Sequence, residues 1–276
     1  MRRPVSLSLL CVAAAVALLA VRETSLWPDG ALHLHVLDVG QGTSVLLVSP
    51  SGKQILIDGG PDLSALERLG AHLPFLDRTI DLVVLTHPES DHVTALAEVL
   101  RRYKVERVLL TGVRHELGRY DALLHEIETR GTRVLFPDPA RDIAIGDGLV
   151  LDVVWPRGSP PGGTVRGVND TSIVLRALWK EHAILLPGDI EGDAERAILA
   201  TGADIRADVL LVPHHGSETS STDAFIRAVR PALAIVSAGR DNPHGHPHPR
   251  VLERYAALGI PVRSTAEDGT VTVVFK

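Results

Sequence analysis

The chain of 276 residues carries a single cysteine, Cys11. No disulfide can form within it and no group of thiolates can hold a metal, so any bound ion would rest on His, Asp and Glu. Positive charge is also scarce: 28 Lys and Arg stand against 34 Asp and Glu, a formal net charge of −6. A global field of that sign does not favour nucleic acid, and such a contact would need a local basic patch. The densest basic cluster is Arg101, Arg102, Lys104, Arg107, Arg114 and Arg119. Aromatic residues make up only 4%, which disfavours a base-stacking groove of the kind used for single strands. Against these shortages, a hydrophobic content of 45% is ample for one large domain with a substantial core.

The longest uncharged run stands at the start. Arg2 and Arg3 precede Pro4 to Val21, which contains no charge. As a helix this run is roughly 27 Å long, near the lower limit for spanning a bilayer. The competing reading is a signal peptide, with Ala15-Val16-Ala17 as a cleavage pattern. Large residues before Cys11 make a poor lipid-attachment site. The apolar run continues past Ala17, which favours an uncleaved anchor, and the positive-inside rule then leaves Arg2 and Arg3 in the cytoplasm. The expected organisation is a membrane anchor or signal segment at 1–22, a linker at 23–30 and a folded domain at 31–276. The domain would be extracytoplasmic and membrane-anchored, or secreted if the segment is cleaved.

Beyond the linker, Leu32 to Leu37, Ser44 to Val48 and Gln54 to Ile57 read as strands. Leu63, Leu66, Leu69 and Leu73 repeat at helical spacing. Leu82 to Leu85 reads as a buried strand, with a helix from Val93 to Lys104 and a strand from Val105 to Leu110. A helix from Tyr120 to Thr129, a strand from Arg133 to Phe136 and a strand pair around Leu149 to Val154 follow. Trp155 to Asn169 is rich in Pro and Gly and reads as a long loop, a kind that is often functional. Later elements are helices Glu191 to Ala200 and Arg250 to Leu258, and strand Leu233 to Val236.

The chemistry concentrates in Thr86-His87-Pro88-Glu89-Ser90-Asp91-His92, where a strand becomes a helix. His87 and Glu89 are two apart and point the same way in an extended segment. Two imidazoles and two carboxylates this close suit a borderline or hard divalent ion. The second half of the chain repeats the first. Gly42 to Leu47 matches Asp170 to Leu175, Asp58 falls opposite Asp189, and Asp81 to His87 matches Asp208 to His214. Two related αβ halves packed sheet against sheet give a four-layer αββα sandwich, with ligands gathered at one edge from equivalent strand ends. Pro187-Gly188-Asp189, Pro213-His214-His215-Gly216-Ser217 and Asn242 to Pro249 fall at such ends.

These stretches resemble the metallo-β-lactamase superfamily over residues 31–276. The family's HxHxDH motif is matched at His87, Asp91 and His92, and its Gly-Asp strand end at Asp189. More narrowly, Leu37 to Gly42, Leu56 to Gly60, Val212 to Ser217 and Gly245 to Pro249 resemble the C-terminal hydrolase domain of ComEC-type competence proteins. The resemblance implies an α/β metallo-β-lactamase sandwich holding one or two divalent ions, Mn²⁺ or Zn²⁺ with Mg²⁺ as a further candidate. His87 and Glu89 would hold the first, with an oxygen from Asn169 or Asp170. Asp91, His92 and a late histidine would hold the second; His246 is the first choice for it and His215 the rival. Asp189 would bridge. Glu89 replaces the motif's second histidine, which shifts preference towards Mn²⁺ or Mg²⁺. Asp38 and Asp58 would orient ligand histidines, and His214 or His215 would donate a proton or bind phosphate.

The implied activity is a metal-dependent phosphodiester hydrolase with DNA as substrate, related to DNA uptake. With at most one membrane segment the chain cannot itself be the DNA channel, so a separate channel protein would be needed. The alternatives are a metallo-hydrolase of a small ester, lactam or cell-envelope phosphodiester, or a non-catalytic binding module that has lost a metal.

Overall fold

A computed structural model describes residues 7–157 and 167–276. Arg2, Arg3, residues 4–6 of the apolar run and residues 158–166 of the expected long loop lie outside the described residues.

Two seven-stranded sheets pack face to face. The first runs, edge to edge, through Val271–Phe275, Leu32–Val36, Val45–Val48, Gln54–Ile57, Leu82–Leu85, Arg107–Leu110 and Arg133–Leu135. The second runs through Ile143–Gly146, Leu149–Trp155, Val174–Trp179, His182–Leu186, Val209–Leu211, Leu233–Val236 and Val262–Ser264. Read in this direction the two sheets have the same plan. Three antiparallel pairings lead to a central strand, and three parallel strands follow it. Gln54–Ile57 and His182–Leu186 occupy equivalent positions, as do Leu82–Leu85 and Val209–Leu211. The internal repeat seen in the sequence is therefore a repeat of topology.

Strand alternation divides the apolar residues into three layers. Leu34, Val36, Val45, Leu47, Ile55, Ile57 and Val84 meet Leu151, Leu175, Ala177, Ile184 and Leu186 between the sheets. The opposite faces carry Leu46, Leu56, Val83 and Leu85, which pack under Leu69, Leu96, Val99, Leu123 and Ile127 of the helices on the first sheet. Leu185, Leu210 and Val236 pack under Ala194, Ile198, Phe225, Val251 and Tyr255 on the second. The result is the αββα sandwich.

The structure redraws several sequence-based boundaries. The expected helix Val93 to Lys104 is two pieces, Ser90–Val93 and Leu96–Arg102. Strands Val262–Ser264 and Val271–Phe275 were not anticipated; the latter closes the first sheet, with Leu32 opposite Phe275 and Val36 opposite Val271.

At the N-terminal end, helix Leu7–Ser25 runs into the expected linker. Its Arg22 donates to the Gly70 carbonyl, and the Glu23 carboxylate accepts the Phe75 amide at 2.9 Å. Among the described residues no helix is long and apolar enough to cross a membrane. Arg22 and Glu23 end the uncharged part at Val21. Leu7 to Val21 is then about 22 Å long against a hydrocarbon core of about 30 Å. The membrane-spanning expectation thus draws no support from the described helix. Part of the basic cluster is paired within the fold: Arg101 with Glu126 at 2.8 Å and Arg102 with Glu98 at 2.7 Å, while Arg119 donates to the Thr94 hydroxyl at 2.8 Å.

One buried group ties stability to pH. His35, 8% exposed, stacks on His72 with ring centroids 4.3 Å apart and on His33 at 5.9 Å. Burial, reinforced by these two rings, pushes its pKa down to about 3. Between that value and the ordinary 6.5 the unfolded chain binds a proton that the folded chain refuses, so stability is lost as pH falls. Going from pH 7 to pH 5 is expected to cost about 2 kcal/mol through this residue. Urea unfolding at both pH values should show His35→Gln losing less stability than the parent by about that amount. Equal losses would contradict the assignment.

Candidate metal centre

The centre forms where equivalent strand ends from the two halves meet. Leu82–Leu85 delivers Thr86 and His87, and the following turn places Glu89, Asp91 and His92. From the second sheet, His182–Leu186 leads to Pro187-Gly188-Asp189, and Val209–Leu211 leads to Pro213–Gly216.

Asp189, 2% exposed, is the hub. Its Oδ2 lies 3.2 Å from His92 Nε2 and 3.2 Å from His215 Nε2. His215 Nε2 is in turn 3.3 Å from Asp91 Oδ2. The donor atoms of Asp91, His92, Asp189 and His215 all lie within 4.8 Å of one another. These contacts are close but not aligned as hydrogen bonds: Asp189 Oδ2 and the Nε2 atoms of His87, His92 and His215 are buried without a partner. Unpaired buried polar atoms are costly. Three of them, on His92, Asp189 and His215, belong to the group that Asp91 completes, and its two imidazoles and two carboxylates fit a divalent cation.

The far side of each ring is fixed. His92 donates from Nδ1 to Asp58 Oδ2 at 2.8 Å. Asp58 also accepts the Thr86 amide and hydroxyl, both at 2.8 Å. The His87 Nδ1 lies 3.0 Å from the Thr86 hydroxyl and 3.2 Å from the Ser172 hydroxyl. Because the Thr86 hydroxyl is spent on Asp58, it accepts from His87. His215 donates from Nδ1 to the Ser237 carbonyl at 2.9 Å. All three rings therefore turn Nε2 to the centre, the arrangement by which outer partners orient metal-ligating histidines.

The charges respond accordingly. Burial opposes protonation of His215, yet Asp189 and Asp91 outweigh it and raise its pKa to about 10. His92 is likewise raised against burial by Asp189 and Asp58. Asp189 is held well below the carboxylate range, burial notwithstanding, by His215 and His92. His87 goes the other way: burial and the neighbouring His92 push it down to about 3, leaving a neutral ring. Burial, with Asp91 adding to it, pushes Glu89 up.

His87 and Glu89 make a looser second group. His87 Nε2 is 3.9 Å from Glu89 Oε2 and 4.0 Å from Asp189 Oδ2. His214 faces the same carboxylate, its Nε2 4.0 Å from Asp189 Oδ2 and 3.4 Å from Asn169 Nδ2. Its Nδ1 is held 3.2 Å from Glu191 Oε1.

Both His214 (φ 48°) and His215 (φ 54°) adopt the left-handed conformation, costing on the order of 1–3 kcal/mol each. The loop is locked from several sides. Ser220 Oγ donates to the Pro213 carbonyl at 2.8 Å and the His248 amide to the Gly216 carbonyl at 2.8 Å. That backbone turns the two adjacent rings towards the centre. Gly42 explains the stretch Asp38 to Gly42: at φ 151° it lies so close to the Asp91 carbonyl and Pro61 that a Cβ would collide with both. Its carbonyl accepts the Ser237 hydroxyl at 2.7 Å, joining the two halves behind the centre.

Three sequence-based placements need correction. His215, rather than the favoured His246, joins the four-residue group. The His246 ring stands 6.4 Å from that of His215, with its Nδ1 buried and unpaired. Among the described residues the Asp38 carboxylate bonds no histidine: it faces Arg68 at 3.4 Å. Asn169 approaches His214, not His87, while Asp170 accepts the Glu191 amide at 2.7 Å. Thr86, Ser172, Glu191 and Ser237 were missed. The repeated Thr-Ser step was the one available signal: Ser44 Oγ donates to the Asp58 carbonyl and Ser172 Oγ accepts the Asp189 amide, equivalent places in the two halves.

The family described as "Metallo-beta-lactamase superfamily" matches residues 37–240. "ComE operon protein 3" of Bacillus subtilis is 29% identical over 88% of this chain and 33% of its own length. "Recombination protein 2" of Haemophilus influenzae is 34% identical over 88% of this chain and 29% of its own length. The chain thus spans about a third of these curated relatives. The metallo-beta-lactamase fold protein YhfI from Bacillus subtilis superposes with a TM-score of 0.59 at 12% identity, covering 88% of this chain and 99% of that one, a likeness of fold.

Proposed function

The chain belongs to the metallo-beta-lactamase superfamily, and from that premise we propose that it is a metal-dependent phosphodiester hydrolase with DNA as substrate. The observation that carries the metallo-hydrolase reading is the group of Asp91, His92, Asp189 and His215, whose donor atoms lie within 4.8 Å of one another, three of them buried and unpaired. The DNA reading rests on the relatives "ComE operon protein 3", "Recombination protein 2" and "Competence protein ComA". The domain would comprise residues 31–276, act on the extracytoplasmic side and work beside a separate channel protein.

Asp91, His92, Asp189 and His215 would hold the ion, Mn²⁺ or Zn²⁺, with His87 and Glu89 flanking a second position. When bound, such an ion lowers the pKa of water and stabilises charge on phosphoryl oxygens. The chain's own residues do the rest. Asp58 and Thr86 fix the His92 and His87 rings. His214, 20% exposed in its side chain and braced by Glu191, presents Nε2 at the edge of the centre. There it can hydrogen-bond a phosphate oxygen or protonate the leaving oxygen. A second reading, a smaller phosphodiester as substrate, is favoured by the net charge of −6 and the aromatic content of only 4%, neither of which suits a nucleic-acid groove.

The test incubates the full chain with Mn²⁺, Zn²⁺ or Mg²⁺ and single-stranded DNA, duplex DNA, bis(p-nitrophenyl) phosphate or a chromogenic lactam. Cleavage of DNA and the small diester, with the lactam intact, is the expected result. Turnover of the small diester alone moves the assignment to the second reading; turnover of the lactam alone overturns both.

A further inference from the structure

A second surface feature lies at the foot of helix Leu7–Ser25. Leu19, Arg22, Trp27, Pro74, Phe75 and Leu76 are among the residues lining a concave, largely apolar surface of about 910 Å³. Trp27 is 66% exposed, Phe75 66% and Leu76 88%. Three large apolar side chains standing this far out, side by side, mark a surface that something covers.

The helix above it indicates what. Leu10, Val12, Val16, Leu18, Leu19 and Val21 are all more than half exposed. At about 100° per residue they point to every side of the helix, not along one stripe. A protein groove takes one stripe; a surface apolar all round suits a lipid environment, where Trp characteristically sits at the boundary with water. The local charges fit the same boundary. Glu23 is occupied by Arg22 and the Phe75 amide, and Asp77 by the Gln54 amide group and the Thr79 amide. The Arg78 guanidinium lies 5.4 Å from the Phe75 ring centre and 5.6 Å from that of Tyr103. Among the described residues no carboxylate pairs with it, leaving it free for a lipid phosphate.

We propose that Trp27, Phe75 and Leu76, continuous with the exposed apolar side chains between Leu10 and Val21, seat the folded domain on a lipid bilayer, with Arg78 at the level of the lipid phosphates. The seat does not require that the helix cross the bilayer, and it is independent of the catalytic reading. It would hold the domain in one orientation on the membrane instead of leaving it to swing from its N-terminal helix.

The test uses the full chain with Cys11→Ala and Leu76→Cys, labelled with a polarity-sensitive fluorophore, and vesicles of phosphatidylcholine and phosphatidylglycerol. The expected result is a blue shift on adding vesicles and quenching by lipids brominated near the headgroup. A label at Glu253→Cys, on a helix of the second sheet, should stay in water. Phe75→Ser with Leu76→Ser should weaken vesicle binding at least tenfold (both side chains are exposed, so folding should persist). A Leu76 label that stays in water while the chain is vesicle-bound overturns the seat and leaves the helix as sole contact. A label shielded without lipid, in a species of twice the mass, overturns it in favour of a second copy of the chain.

Discussion

Replacing Asp189 by Asn should lower affinity for Mn²⁺ or Zn²⁺ by about 100-fold or more and abolish hydrolysis. Asp189 Oδ2 lies within 3.2 Å of both His92 Nε2 and His215 Nε2 and within 4.0 Å of His87 Nε2 and His214 Nε2. Asn keeps the shape but removes the charge, and its amide nitrogen cannot serve as a ligand. Outer partners of metal ligands already cost 10–100-fold when removed, and a shared ligand should cost no less. The effect has a readout separate from catalysis. An ion at 100 times its Kd stabilises the fold by about 2.7 kcal/mol, so the parent's melting temperature should rise on adding metal and that of Asp189→Asn should not. Equal rises would remove Asp189 from the ligand set.

The second large effect is expected one layer out. Asp58 is fully buried and accepts three hydrogen bonds, from the Thr86 amide, the Thr86 hydroxyl and His92 Nδ1. Burial pushes its pKa up, against the pull of His92 and Thr86. Asp58→Ala leaves His92 and two Thr86 donors without an acceptor inside the protein. Breaking a buried pair in this way costs about 3–5 kcal/mol. It should also weaken metal binding by about 10–100-fold, because His92 loses the bond that fixes its tautomer. Urea unfolding without metal reads the first effect, and calorimetric titration of the surviving folded chain reads the second. A stability loss with unchanged metal affinity would make Asp58 a structural residue only.

Much of the architecture was legible because it is repeated. Asp58 and Asp189 end equivalent strands, and the αββα sandwich follows from two such halves. The centre was legible as far as residue type and spacing reach. His87, Asp91 and His92 form one local motif, and Asp189 is marked by Pro187-Gly188. The choice between His215 and His246 was not legible, since it depends on the left-handed backbone at His214 and His215. Nor was the role of Asp38, whose carboxylate turns to Arg68 on the adjoining helix. Strand Val271–Phe275 escaped notice because its partner lies at the other end of the domain. The pairing of Arg101 with Glu126, 25 residues away, likewise depends on the fold.

The most direct test of the central claim is DNA cleavage by the chelator-stripped chain as Mn²⁺ is added back. The account predicts no cleavage without the ion, activity rising as the Asp91–His92–Asp189–His215 position fills, and none at any Mn²⁺ concentration in Asp91→Asn. Undiminished cleavage in the stripped chain, or equal cleavage by Asp91→Asn, would contradict it.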